Sequence, residues 1–145
     1  MYDNPDDITK LMDVIVKLES DFINKQEDLI GDALARPGHG FASSRVFDGL
    51  GFSDDNILFL NDEAYLEFAL DPLCKAGKSS GAPVFHSCGN WSGRTKLVTG
   101  IPGLIMADGA VGAETDPEPN IPEKLGEAFA ETGITLHTRI VGNAE

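Results

Sequence analysis

Positive charge, cysteine and long apolar runs are all scarce in this sequence. Eleven Lys and Arg stand against 24 Asp and Glu, a net charge of −13. That excludes nucleic acid and anionic membranes as natural partners, because both are bound through basic patches. The acidic surplus itself is accounted for by solubility. Two cysteines, Cys74 and Cys88, are too few for a disulfide framework, which makes a reducing cytoplasm the expected location. No apolar run approaches the roughly 20 residues of a membrane helix. The opening Met1-Tyr2-Asp3-Asn4-Pro5-Asp6-Asp7 is acidic and lacks an apolar core, so no signal peptide is expected. No G-x-G-x-x-G follows an apolar run, which removes support for a dinucleotide fold. What is present is 145 residues, 41% of them hydrophobic, enough for one domain with a core.

The stretch that carries chemistry is Pro83-Val84-Phe85-His86-Ser87-Cys88-Gly89-Asn90. It reads as a short strand ending in a histidine and a cysteine two positions apart. Residues i and i+2 of a strand share a face, so His86 and Cys88 present an imidazole and a thiol side by side. Zinc takes both as ligands and needs at least three protein ligands in a catalytic site. Roughly one chain in 25 of this composition holds such a pair by chance. Spacing alone therefore does not separate a metal pair from a buried cysteine beside a core histidine.

Around this stretch, helical and strand patterns alternate. Asn4, Pro5, Asp6 and Asp7 start a helix that carries Ile8, Leu11, Met12, Ile15, Leu18 and Phe22 on a stripe expected to be buried, fading near Ile30-Gly31. From Asp32 to Asp55 the pattern is irregular, a strand end opening into a long loop that offers His39, Arg45, Asp54 and Asp55. Asp55 serves equally well as a cap for the next turn. A second helix is capped by Asn61, kinked or shortened at Pro72 and ended by Gly77; Cys74, in its last turn, reads as packing. A short polar helix from about Trp91 to Val98 leads to a strand at Gly103–Ala107 that ends in Asp108-Gly109. A third helix starts near Asn120, packs Leu125 and Phe129 and stops at Gly133, and a last strand spans Ile134 to Val141. His137 and Arg139 share one parity of that strand, pointing either into a barrel mouth or to a surface or interlayer position. Glu114 and Asp116 read as turn residues.

Short apolar strands alternating with helices predict an α/β fold with a buried parallel sheet. Polar residues gather where strands end (His86 and Cys88, Asp108, Asn143), as catalytic groups do at the C-terminal face of a (β/α) barrel. A complete barrel takes about 250 residues, so roughly four β/α units form part of one.

Ser53-Asp54-Asp55-Asn56-Ile57-Leu58-Phe59-Leu60-Asn61-Asp62-Glu63-Ala64-Tyr65-Leu66-Glu67-Phe68, followed by Phe85-His86-Ser87-Cys88-Gly89-Asn90, resembles the uroporphyrinogen decarboxylase superfamily. The resemblance runs from about Gly40 to the end, within a part spanning 32–145 that follows the leading helix of 1–31. It implies a TIM barrel. The H-x-C form is similar to that of the corrinoid-dependent methyltransferase branch, where the pair supplies two zinc ligands. The resemblance thus implies a zinc-dependent transfer of a methyl group from a methyl-corrinoid on a partner protein to a small-molecule thiol. His86 and Cys88 are the implied ligands, and Asp108, at the next strand end, is the candidate catalytic residue, expected either to orient a ligand histidine or to line the pocket. Asp54, Asp55, Asn90 and His137 are the implied substrate-binding residues. The branch's third ligand would lie beyond Glu145, and the decarboxylase's substrate-binding residues before Met1. Zinc binding by this chain alone is accordingly expected to be weak, and apolar surface on an open sheet's inner face to draw in the remainder of a barrel or a second copy. Decarboxylation of a tetrapyrrole, implied by the superfamily, and a non-catalytic binding module, suggested by length, are the alternatives.

Overall fold

The computed structural model describes residues 3–34, 50–79 and 81–139. His39, Arg45, Ile140, Val141 and Asn143 lie outside them, as does the side chain of Arg139. The chain is α/β. Helix α1 (Pro5–Ile30) is followed by strand β1 (Leu50–Ser53), helices α2 (Asn56–Phe59), α3 (Asp62–Tyr65) and α4 (Asp71–Ser79), and strand β2 (Pro83–His86). Helix α5 (Thr95–Thr99), strand β3 (Met106–Ala110), helix α6 (Pro122–Phe129) and strand β4 (Thr135–Arg139) complete it.

The four strands make one parallel sheet in the order β1-β2-β3-β4. Among the described residues the order never reverses, and no switch point of the kind that marks doubly wound folds is found there. Register organises the molecule into two rows. Phe52, Phe85, Ala107 and Leu136 are aligned across the sheet, and so, one residue further along each strand, are Ser53, His86, Asp108 and His137. A one-residue step changes face. The first row packs into the main core with Ile57, Tyr65, Leu73, Trp91, Val98, Leu125 and Phe129 from the connecting segments. The second row is the polar one.

Trp91 is the centre of that core. It is wholly buried, with Phe85 edge-on at 5.4 Å and Phe129 at 6.2 Å between ring centroids. A β-carbon on Gly109 would meet Trp91 Cζ2 at 2.7 Å, so β3 needs glycine there to let the indole lie against it.

Several elements differ from their expected form. Strand β1 falls inside the stretch read as irregular. Strand β3 begins at Met106, so Asp108 stands within the strand and is not its terminus. Asn61 caps α3 as expected, its side-chain oxygen accepting from the Ala64 N–H at 2.8 Å. Pro72 does not end the helix. A wide π-helical turn, Leu66–Leu70, precedes it, and α4 continues past Gly77 to Ser79. The missing N–H and the ring's clash with the carbonyl four residues back are met by widening one turn. Helix α6 stops at Phe129, short of Gly133.

The apolar surface is distributed differently from expectation. On the polar row's face, Val84 and Met106 pack side by side with Ile105 against them and are 1% and 2% exposed. Helix α1 buries no residue fully, and Leu11, Ile15, Leu18 and Phe22 of its expected inward stripe are exposed. Its packed side runs through Met12 and Val16, toward α4, where a cavity of about 130 Å³ remains between them, Phe52 and Leu73. Among the described residues no helix is long and apolar enough to cross a membrane.

Candidate functional site

His86 is the last residue of β2, and Cys88 lies two positions on, where the strand gives way to a turn. The spacing does what it predicts: Cys88 Sγ lies 3.6 Å from His86 Nε2. The other imidazole nitrogen, Nδ1, is held by Asp108 Oδ2 from the next strand. His137, one strand further on, brings its own Nδ1 to Asp108 Oδ1 at 2.5 Å. One carboxylate therefore bridges two imidazoles along the polar row.

Asp108 is wholly buried. Burial by itself drives its carboxyl up, but the hydrogen bonds from His86 and His137, with the charges of those rings, outweigh it and hold the group below the usual carboxylate range. An ionised carboxylate only accepts, so both Nδ1 atoms donate to it.

The turn after His86 is held from three sides. Asp55 Oδ1 accepts from the Cys88 N–H at 2.9 Å and from Ser87 Oγ at 3.3 Å. Asp55 stands at the N-cap of α2, yet its side chain makes no cap bond, so it serves the turn and not the helix. Asp116 Oδ2 accepts from the Gly89 N–H at 2.7 Å. Asn120 Oδ1 accepts from the Trp91 N–H at 2.8 Å, while its amide donates to the carbonyls of Gly89 and Ala110. Gly89 has φ +70°, and a β-carbon there would lie 2.6 Å from Leu58 Cδ1; conformation and space both require glycine directly after Cys88.

The remaining candidates fall around this centre. Asp54 is buried, with Tyr65 Oη donating to Oδ2 at 2.9 Å and Asn56 Nδ2 to Oδ1 at 3.2 Å. Burial raises its carboxyl above the ordinary value against the pull of those bonds. The phenol of Tyr65 is pushed well up, by burial first and by Asp54 second. Asn90 is exposed, and its Oδ1 accepts from the Ser92 N–H at 3.1 Å, closing the turn. Cys74 is half-buried in α4, its thiol raised by burial and by Asp71. Glu114 is exposed. Asp116 is not: its burial and its bond to Gly89 make it part of the site's support.

Asp116, read from the sequence as a turn residue, and Asn120, read as a helix start, are site residues that the sequence did not assign to the site. Their partners lie 27 to 31 residues away, a separation at which no local pattern gives a signal. Arg94 is a third. Its guanidinium donates to the carbonyls of Ile57 and Leu60 and fixes the segment after Asp55.

The donor set suits a borderline-soft cation. Two vertices of a tetrahedron with Zn–N of ~2.05 Å and Zn–S of ~2.3 Å are ~3.6 Å apart, the separation of His86 Nε2 and Cys88 Sγ. A carboxylate on the far nitrogen is the usual partner of a metal-binding histidine. Among the described residues no group of three or more His, Cys, Asp or Glu is placed to hold one metal ion.

Comparison of the chain with protein-family models, with curated proteins and with solved structures returned no match.

Proposed function

We propose that the chain is part of a (β/α) barrel of the uroporphyrinogen decarboxylase superfamily and acts as a zinc-dependent methyltransferase. It takes a methyl group from a methyl-corrinoid carried by a partner protein and delivers it to a small-molecule thiol in the cytoplasm. One observation carries the reading: the 3.6 Å separation of Cys88 Sγ and His86 Nε2, with Asp108 fixing the opposite side of the imidazole. The unreversed parallel sheet and the site's place at the C-terminal end of β2 support it.

His86 and Cys88 would hold zinc, which when bound lowers the pKa of a coordinated thiol and keeps a thiolate at neutral pH. Each of the chain's own groups has a distinct task. Asp108 holds His86 in the tautomer that offers Nε2. Asp55 and Asp116 fix the backbone on either side of the Cys88 side chain, so the sulfur meets the imidazole without searching rotamers of the turn. Gly89 allows that turn to be tight.

The test is methyl transfer from methylcobalamin to a thiol, with the protein-free rate subtracted. In a version of the protein that carries the complete barrel, His86→Ala and Cys88→Ala are expected to abolish both transfer and zinc retention while leaving the circular dichroism spectrum nearly unchanged. Mutants that unfold with metal still bound would make the pair structural. Metal-independent decarboxylation of a tetrapyrrole by the wild type would replace this reading with a decarboxylase.

A further inference from the structure

We propose that the open edge of β1 and the apolar stripe of α1 form one docking surface for a strand–helix unit of another polypeptide. The strand of that unit extends the sheet at β1, and its helix lies along α1. The inference goes beyond the zinc chemistry and does not rest on it.

Strand β1 ends the sheet and, among the described residues, has β2 as its one neighbour. The Leu50 N–H donates to the Ala82 carbonyl and the Asp54 N–H to that of His86, so in a parallel ladder Leu50, Phe52 and Asp54 face β2. Gly51 and Ser53 then turn their N–H and C=O groups to the open side. Native proteins blunt such an edge with charge or proline, and Leu50-Gly51-Phe52-Ser53 carries neither. Strand β4, at the other edge, is the polar Thr135-Leu136-His137-Thr138-Arg139. Leu50, Gly51 and Phe52 are only half-buried, whereas their register partners Pro83, Val84 and Phe85 on β2 are buried.

The stripe of α1 adjoins that edge. Leu11, Ile15, Leu18, Phe22 and Leu29 are spaced by four, three, four and seven residues, the a and d positions of a heptad seam, and each is more than a third exposed. Ile15 also lines the cavity of about 130 Å³, together with Val16, Phe52 of β1 and Leu73 of α4, so seam and edge meet there. An apolar cavity of about 150 Å³ accepts a benzene ring, so one large side chain of the added strand fills this one. Charge selects the occupant. Helix α1 carries seven acidic residues against Lys10, Lys17 and Lys25, and the cavity's two charged lining residues, Glu19 and Asp54, are both acidic. A second copy would set acid against acid, whereas a unit with lysine or arginine flanking its apolar face is the complement.

The probe is a synthetic strand–loop–helix peptide with alternating valine and threonine in the strand, leucine at a and d in the helix, and lysine on the flanks. Fluorescence anisotropy measures its affinity for the whole chain, and amide hydrogen exchange by NMR follows Gly51 and Ser53. We expect binding that slows exchange at both amides at least about tenfold. Leu18→Glu charges a side chain already 68% exposed and should weaken binding about tenfold or more without changing the melting temperature. Gly51→Pro removes one outward donor at an edge position that tolerates proline, and a loss of about tenfold is expected again. A peptide N-methylated at alternate strand positions cannot donate to the edge and should bind the unaltered chain about tenfold more weakly. Glutamate in place of the peptide's lysines should also weaken binding. No binding, binding without protection of the two amides, or binding that survives both Leu18→Glu and strand N-methylation would overturn the proposal. So would a wild type that self-associates and is split by Leu18→Glu, since the surface would then belong to a second copy. Cobalt(II) binding at His86 and Cys88 should be the same in both variants, so this surface and the zinc reading stand or fall separately.

Discussion

Helix α1 and the polar row of the sheet make opposite uses of similar raw material. Helix α1 is long, 26 residues, and strongly patterned, yet it buries no residue fully and leaves Leu18, Phe22 and Leu29 more than 60% exposed. The row of His86, Asp108 and His137 is short and charged, yet Asp108 is wholly inaccessible and His86 nearly so. Periodicity shows that a segment is helical, not that its stripe has found a partner. Burial of charge, by contrast, demands partners on the spot, because an unpaired buried carboxylate is far more costly than an exposed leucine. The ion pair between Lys75 on α4 and Asp13 on α1, at 3.0 Å with both groups exposed, adds little to hold the helix. The row is where structure and chemistry are most tightly constrained.

The largest expected effect lies at the row's centre. Asp108→Asn sets an amide N–H against one of two imidazole donors and removes the charge both rings need. We expect a loss of about 3–5 kcal/mol in urea denaturation, because two hydrogen bonds to a buried charge are lost or weakened at once. A loss below 1 kcal/mol would mean that the row is no more constrained than α1.

Gly109→Ala should come next. The added methyl would press on Trp91 in a core with no room beside it, a cost of about 1–3 kcal/mol in the same measurement. Any stabilisation would show the Trp91 packing to be loose.

Two of the buried aspartates, Asp54 and Asp108, divide the acid limb of the stability profile. Asp108 has a folded-state pKa below its unfolded value, so its contribution is present above the ordinary aspartate pKa of about 3.9 and disappears as pH falls through the folded value. Asp54 is raised, so its contribution is full below about 3.9 and disappears as pH rises through its folded value. Thermal melts from neutral pH downward should show wild type gaining on Asp54→Asn until near pH 4. Below that point wild type should lose ground to any variant lacking Asp108's carboxyl. Parallel profiles for wild type and both variants would contradict this division.

Phe22→Glu on α1 should have the smallest effect, within about 0.5 kcal/mol, because the side chain is already 62% exposed. A cost of several kcal/mol would reveal a partner on that face.

Much of this was legible in the residues. The parallel α/β alternation, the Asn61 cap, the inward Leu125 and Phe129, and the facing of His86 and Cys88 all follow from short-range periodicity and capping chemistry. Strand β1 was not legible, because Leu50-Gly51-Phe52-Ser53 has a single large β-former between glycine and serine. The expected start of β3 was drawn too early by Leu104, an apolar residue buried in a turn. The joint grip of Asp108 on two histidines arises from strand register, which aligns residues 22 and 29 positions away and leaves no mark on any local pattern. The same holds for Asp55, which reads as a cap and acts as an anchor for Cys88.

Cobalt(II) titration, followed by the absorption of a sulfur-to-metal charge-transfer band, tests the central claim most directly. With His86 and Cys88 as the ligands, wild type should bind weakly and develop the band, and added 2-mercaptoethanol should tighten binding by supplying a further sulfur. Cys88→Ala should lose the band contributed by the protein, His86→Ala should weaken binding severely, and His137→Asn should match wild type. No band in wild type at any cobalt concentration, or an undiminished band in Cys88→Ala, would contradict the assignment of this pair as the metal site.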